Sequence, residues 1–237
     1  MKRQVTRSLS LVAALVLSQA AAARGQLQAG PTLVDIAPGL TAGRMTLANS
    51  GDQPVSAQLR VFRWTQVDGE DRLAPTQEVV LSPAITKIEA GAEQVVRVVR
   101  QGAAPAGKDA TYRIIVDELP PPAEQQETGI NFRMRFVVPV YLRAAQAKEP
   151  SLTCELRMAT LTCTNSGGQA AQLGATRLID AKGSLVALSR GLFGYVLPGS
   201  SRKWPLESGF VTTLTAELRL ETQLNGQPAA IPVIRAP

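Results

Sequence analysis

The stretch TYRIIVDELPPPAEQQETGINFRMRFVVPVYL, residues 111–142, contains two segments with the pattern of β-strands, residues 111–117 and 130–142. A polar segment bounded by prolines separates them. In the second segment Ile130, Phe132, Met134 and Phe136 alternate with polar residues, and in a strand alternate side chains share one face. The polar segment is unsuited to cover that face. The row therefore faces either the protein's own core or another molecule.

The rest of the chain repeats this kind of pattern. Short apolar or alternating segments are separated by turn signals such as Asp68-Gly69, and no segment keeps a helical period for three turns. The remaining strands predicted before residue 144 are 44–47, 55–64, 78–81 and 94–99. Several short strands at this spacing predict a sandwich of two packed sheets.

A second β unit follows a small, polar linker at residues 144–150, which ends in proline. The strands predicted in it are 152–156, 161–164, 175–179, 185–187, 202–206, 213–221 and 231–234. We therefore predict an all-β chain with two sandwich domains, at residues 24–146 and 147–237.

The first 23 residues are typical of a secretory signal peptide. Lys2, Arg3 and Arg7 precede an apolar run at 9–17, and four alanines at 20–23 provide a cleavage pattern. The apolar run is too short to span a bilayer. We expect cleavage near residues 22–23 and an exported mature protein with no integral membrane segment.

Composition argues against several classes of function. The chain has no histidine, the commonest general base and metal ligand. Removal of the predicted leader lowers the formal net charge from +6 to +3, and such a small positive charge does not indicate nucleic-acid binding. We expect no catalytic residue, no metal and no cofactor.

Two local patterns resemble catalytic or nucleotide-binding motifs without meeting their requirements. GAAPAGK, residues 102–108, has P-loop spacing, but Asp109 stands where Ser or Thr would hold magnesium, and a strand follows instead of a helix. We predict a loop that binds no ATP. Asp117 and Glu118 are adjacent on a strand and point to opposite faces, so they do not form a paired-carboxylate site.

Tyr112 stands at the start of a predicted strand. DATY, residues 109–112, resembles the approach to strand F of immunoglobulin-like domains, where a tyrosine bonds to upstream backbone. A plain core tyrosine fits these residues equally well.

The two cysteines, Cys154 and Cys163, lie on neighbouring predicted strands. A symmetric hairpin places 154 opposite 163 and 156 opposite 161, so an oxidising compartment would join the thiols in a disulfide. Because Met158-Ala159 is a poor two-residue turn, two unpaired buried thiols remain the alternative.

An ordered series of motifs resembles the PapD-like periplasmic chaperones that assemble pili and fimbriae with an outer-membrane usher. The series is NSGDQPV (49–55), SPAITKIEAG (82–91), QVVR (94–97), YRIIVDELPP (112–121) and GYVLPG (194–199). The DELP form and PVY at 139–141 are most similar to the branch associated with archaic pili and spore-coat-U-type subunits.

The resemblance implies two immunoglobulin-like domains in an L or boomerang, and partners that are pilus or fimbrial subunits lacking a strand. It also implies delivery to an outer-membrane usher, without ATP. Ile130, Phe132, Met134 and Phe136 would then form a donor strand that fills the subunit's groove. Pro139 fits an edge better than a central strand, and the polar loop 120–128 would become ordered by a partner.

One feature departs from the family pattern. Many members anchor the subunit's terminal carboxylate with an arginine on the first strand and a lysine on the last strand of domain one. Here residues 32–36 lack arginine and residues 136–141 lack lysine. Arg113, Arg133 and Arg135 are candidate substitutes, because a guanidinium can bind a carboxylate with two hydrogen bonds. Each could equally be a solvated surface charge.

The competing function is that of an exported structural or adhesive protein, such as a pilus subunit. A subunit should be one incomplete sandwich with an N-terminal donor segment, whereas this sequence predicts two sandwiches.

Overall fold

The computed structural model describes residues 26–121, 132–207, 209 and 217–236, in which the regular elements are eighteen β-strands. The first ten are β1 (Leu27–Gly30), β2 (Val34–Ile36), β3 (Ala42–Asn49), β4 (Val55–Val67), β5 (Glu70–Pro75), β6 (Val79–Ser82), β7 (Ile85–Ile88), β8 (Glu93–Arg100), β9 (Ala110–Glu118) and β10 (Arg135–Leu142). The others are β11 (Leu152–Arg157), β12 (Thr160–Asn165), β13 (Ala171–Asp180), β14 (Leu185–Ala187), β15 (Leu192–Val196), β16 (Ser201–Pro205), β17 (Leu218–Leu224) and β18 (Gln227–Ala236). The prediction of an all-β chain is confirmed.

The first ten strands form a sandwich of two sheets. One sheet has the order β1-β3-β8-β6, and the other has the order β2-β10-β9-β4-β5 with β7 beside β4. Alternate side chains from both sheets, among them Met45, Val96 and Ile114, are fully buried in one apolar core. The period-two pattern of the sequence therefore places one face of each strand inward.

The β4–β5 hairpin extends beyond this core. Asp68 and Gly69 have φ angles of 56° and 84°. Positive φ at both central residues is what a two-residue type I′ hairpin turn requires, and Asp-Gly is a preferred pair for it. The turn signal in the sequence thus marks a tight hairpin whose tip meets the second half of the chain.

The last eight strands form a second β unit with its own core. Its sheet has the order β14-β13-β17-β18-β11-β12-β16, with β15 paired to β13. Leu156, Leu161 and Leu220 are almost fully buried in its core. Cys154 lies opposite Cys163 in the β11–β12 ladder and is joined to it by a disulfide, as the hairpin register predicts.

Both β units contain the same Asn-Ser-Gly turn, at 49–51 and 165–167. The Asn49 amide donates to the carbonyls of Gln53 and Ile88, and its oxygen accepts from the N–H of Gly51. Asn165 makes the corresponding bonds to the carbonyls of residues 169 and 196 and from the N–H of residue 167. The shared turn supports two similar units, and the boundary at 146–147 falls between β10 and β11 but stays a prediction.

The sequence missed four strands and misplaced two. β1, β5, β7 and β15 were not predicted, while β2 falls within residues 32–36, the segment compared with the family's first strand. The described part of segment 130–142 becomes a strand only at Arg135, and the strand predicted at 213–221 is β17, Leu218–Leu224. The leader at 1–23, Ile130 and loop residues 122–128 lie outside the described residues.

Within the described ranges, no helix is long and apolar enough to cross a membrane, and no group of three metal-ligating side chains occurs.

Candidate functional site

The two halves of β10 have different surroundings. Val138, Val140 and Leu142 face the core, while Pro139 and Tyr141 are buried from the other side. β2 pairs in parallel with residues 140–142 only, and β9 pairs with all of residues 135–142. In the described part of the chain, no strand pairs with the outer edge of β10 before Val140.

The direction of the free backbone groups follows from one hydrogen bond. The N–H of Glu118 donates to the carbonyl of Met134 at 3.0 Å. In an antiparallel pair, residues that bond across the ladder alternate with residues whose N–H and C=O point outward. The backbone groups of Arg133, Arg135 and Val137 therefore point to the open edge. Pro139, which has no N–H, lies at the end of this edge.

The predicted donor residues divide into an exposed part and a core part. Phe132 is 88 % exposed and Met134 is 46 % exposed, on the face that continues into the core as Phe136 and Val138. Phe136 is half-buried and packs against the core of its own sandwich. Val137, which the sequence analysis missed, is 48 % exposed on the opposite face.

Arg133 and Arg135 lie beside the open edge, in different settings. Arg133 is exposed and makes no ion pair among the described residues. Arg135 pairs with Asp117, which also accepts a 2.7 Å hydrogen bond from Arg60. Burial tends to raise the pKa of Asp117, but the hydrogen bonds from Arg60 and Arg135 lower it overall.

Arg113 occupies a more enclosed position, where the two β units meet. Its Nη2 donates to Asp71 Oδ2 at 3.1 Å, and its Cζ lies 3.8 Å from the centre of the Trp64 ring. The Arg113 side chain is only 19 % exposed. The Trp64 ring also meets the edge of Tyr195 with 5.1 Å between ring centres. The sequence places these residues far apart, and the fold brings them together.

A small apolar cluster at this junction joins the two β units. Its buried members are Trp64, Tyr141, Ala170 and Leu197. Burial raises the pKa of Tyr141 well above its usual range. Because aromatic and aliphatic side chains from both units share this cluster, it links the units directly.

Polar contacts surround the junction cluster. Gln66 donates from Nε2 to the carbonyl of Tyr195 at 2.8 Å, and its Oε1 accepts from the N–H of Leu197 at 2.9 Å. At the hairpin tip, the Gly69 carbonyl accepts from the N–H of Lys203 and from Arg202 Nη1, at 3.0 and 2.6 Å. The β4–β5 hairpin thus holds the second unit through backbone and side-chain bonds.

Comparison of sequences decides the family. The sequence model described as "Pili and flagellar-assembly chaperone, PapD N-terminal domain" matches residues 26–148, about half of the chain. The chain belongs to this chaperone family. It is a pilus-assembly chaperone by family, and this family is not one of enzymes. The resemblance to PapD-like chaperones is therefore confirmed, and no curated protein sequence matches the chain.

Solved structures of chaperones have the same fold. A chain of the CsuC–CsuE chaperone–tip adhesion subunit pre-assembly complex, from the archaic Csu pili of Acinetobacter baumannii, is 24 % identical with a TM-score of 0.72. The match covers 90 % of this chain and 100 % of that one. The E. coli chaperone DraB and the Pseudomonas aeruginosa CupB2 chaperone are each 18 % identical with TM-scores of 0.61, over 88 % of this chain and 97 % and 100 % of theirs.

In this pilus chaperone, no described backbone group accepts a hydrogen bond from Tyr112 as in a tyrosine corner. Its ring is buried, its hydroxyl donates to Glu78 Oε2 at 2.8 Å, and Arg63 donates to that hydroxyl at 2.8 Å. Burial and the bond to Glu78 raise the pKa of Tyr112 to about 12. The plain core alternative is correct, with the hydroxyl paired to charged side chains.

The two other patterns singled out in the chaperone's sequence form a loop and two strand carboxylates, as the sequence predicts. Residues 101–109 form a loop between β8 and β9, and Asp109 accepts from Arg143 and from the N–H of Ala144. Asp117 and Glu118 have separate partners, since Glu118 Oε2 accepts from the N–H of Met134.

Proposed function

We propose that this chaperone is exported to the periplasm, binds pilus or fimbrial subunits that lack a strand, and delivers them to an outer-membrane usher. The observation that carries the proposal is the open backbone edge of β10, with Phe132 and Met134 exposed beside it. The motifs around residues 117–120 and 139–141 and the fold shared with the archaic Csu structure support placement in the archaic branch.

A subunit without its last strand exposes an apolar groove and two unpaired strand edges, which would aggregate if left uncovered. The outward backbone groups of Arg133, Arg135 and Val137 can pair with such an edge. Side chains at 130, 132, 134 and 136 can enter the groove on alternate positions. Phe136 contributes at the boundary with the chaperone's own core, so its role is divided between fold and partner.

The subunit's terminal carboxylate needs a cation. Arg113 fits this role best of the three candidates, because it lies at the junction of the two β units and its guanidinium carbon lies 3.8 Å from the centre of the Trp64 ring. Arg135 is already paired with Asp117, and Arg133 is exposed to solvent. A planar guanidinium in a partly dry site binds a carboxylate more strongly than one in open solvent.

Export is supported by the leader at 1–23 and by the Cys154–Cys163 disulfide, a bond that forms and persists in oxidising compartments.

A proline at residue 137 tests strand pairing. Val137→Pro removes an N–H that points outward and leaves the hydrogen bonds to β9 in place. In the complex, a carbonyl of the partner strand would then lack its donor, which should cost about 1–3 kcal/mol of binding free energy. Val137→Thr keeps the N–H and serves as the control. We expect Val137→Pro to lose most of a co-expressed subunit from the same gene cluster in affinity purification, while Val137→Thr retains it. Equal recovery by both variants would count against strand donation.

A further inference from the structure

Arg113 and Asp71 form an ion pair in which the two partners are held unequally. Arg113 is fixed by the Trp64 ring beneath it and lies on the central strand β9. Asp71 lies on β5, at the edge of its sheet, where most side chains are exposed, and its own side chain is 26 % exposed. The carboxylate, which also accepts a hydrogen bond from Gln66, can turn toward solvent by giving up its two bonds while the guanidinium stays beside the Trp64 ring.

Hydrogen-bond donors outnumber acceptors around Arg113. A guanidinium has five N–H groups, and among the described residues Arg113 donates one hydrogen bond, to Asp71. In the same cluster the indole N–H of Trp64 and the hydroxyl of Tyr141 are buried and have no hydrogen-bond partner within the described part of the chain. Buried donors without acceptors are costly. The junction therefore has capacity for a further acceptor group.

We propose that Asp71 is an internal stand-in for the carboxylate that Arg113 binds in a partner, and that the partner's carboxylate displaces it. This inference rests on the proposed function, in which Arg113 anchors the subunit's chain terminus. The carboxylate of Asp71 and the carboxylate of the partner repel each other when both are at the Arg113 guanidinium, so only one of them keeps its hydrogen bonds to it. Asp71, which is partly exposed on the edge strand β5, is the carboxylate that is displaced.

The stand-in has a physical purpose in the free chaperone. An unpaired guanidinium in a site that is mostly removed from water is costly, and Asp71 removes that cost until a partner arrives. The exchange also makes recognition specific for a charged terminus. A neutral group at the same place would have to displace Asp71 without replacing its charge.

Gln66 allows a conservative test of this exchange. Its Nε2 donates to Asp71 Oδ1 at 2.9 Å. Asp71→Asn keeps the side-chain shape and an oxygen that can accept from Gln66, but removes the charge that competes for Arg113. Asp71→Glu keeps the charge.

The experiment is a competition between tagged chaperone variants for one subunit. A subunit from the same gene cluster is supplied as its complex with wild-type chaperone, and the fraction transferred to each variant at equilibrium gives relative affinities. The Arg113–Asp71 pair is partly screened by solvent, with side chains 19 % and 26 % exposed. Removing its competition should let Asp71→Asn bind about fivefold more tightly than wild type, which corresponds to about 1 kcal/mol. Asp71→Glu should bind about as wild type does.

Two controls identify the site of the gain. In an Arg113→Gln background, Asp71→Asn should have no effect, because the cation for which the carboxylates compete is absent. With a subunit carrying a two-residue Gly-Ser extension, which moves its terminal carboxylate, the gain should also vanish. Thermal melts of the free variants confirm that they are folded.

The outcomes separate this inference from the proposed function. If wild type holds no subunit, or Phe132→Ser holds it as tightly as wild type, the proposed function fails and the inference falls with it. If wild type binds and Phe132→Ser weakens binding, but Asp71→Asn binds equally or more weakly, the inference alone is overturned. A gain with Asp71→Asn that persists in the Arg113→Gln background also overturns it.

Discussion

Replacing Phe132 and Met134 by serine should remove subunit binding while leaving the free chaperone folded. Burial of a phenylalanine or methionine side chain is worth about 1.5–3 kcal/mol, and the fractions still available to a partner are 88 % for Phe132 and 46 % for Met134. The double variant should therefore lose about 2–4 kcal/mol of binding free energy, or about thirtyfold to a thousandfold in affinity.

The assay combines competition for a co-expressed subunit with thermal melts of the free chaperone. Exposed substitutions usually change stability by less than about 0.5 kcal/mol, so the melting temperature should hardly change. Val80→Ser combined with Val95→Ser is the matched control, because these valines are 43 % and 49 % exposed on the other sheet. The reasoning would be refuted if the double variant lost binding only to the extent that it lost stability. It would also be refuted if the valine control lost as much binding as the double variant.

Three further predictions concern the scaffold. Phe136→Ser should lower the free energy of unfolding by about 2 kcal/mol and also weaken subunit binding, because Phe136 packs on the core. An unchanged denaturation midpoint would show that Phe136 does not contribute to the core. Replacing Cys154 and Cys163 by alanine should cost about 2.5 kcal/mol in denaturant unfolding, from the loop of sequence separation 9; no loss would contradict this. Burial tends to raise the pKa of Asp117, but the hydrogen bonds from Arg60 and Arg135 lower it. The charged Asp117 therefore stabilises the folded state above its unfolded pKa of about 3.9, and this stabilisation is lost as the pH falls through the lower folded pKa. Asp117→Asn should thus be less stable than wild type by up to about 1 kcal/mol at pH 7, with the gap closing below about pH 4; a gap independent of pH would exclude the charge as its cause.

The sequence predicts strands well where side chains alternate or form a short buried run. The segment that includes β9 alternates, and residues 138–142 of β10 form a continuous apolar run because both of their faces are covered. β5 was missed because it is a polar edge strand whose side chains are mostly exposed, so burial imposes no pattern on it. β7 is four residues long and pairs only with β4.

The candidate site was predictable only in part. Alternation identifies the face that carries Phe132 and Phe136, but it does not show where the core ends along that face, because this depends on the length of the neighbouring strands. Asp71 and Trp64 are far from Arg113 in sequence and meet it only through the pairing of β5, β4 and β9. No local pattern reports such a contact.

Hydrogen exchange of individual β10 amides, measured by NMR in the free chaperone and in its complex with a subunit, tests strand donation most directly. The account predicts fast exchange at Arg133, Arg135 and Val137 in the free protein and strong protection in the complex. Phe136, which bonds to β9, should be protected in both states. If the complex forms and the amides of 133, 135 and 137 exchange as fast as in the free chaperone, the open edge of β10 is not where the subunit binds.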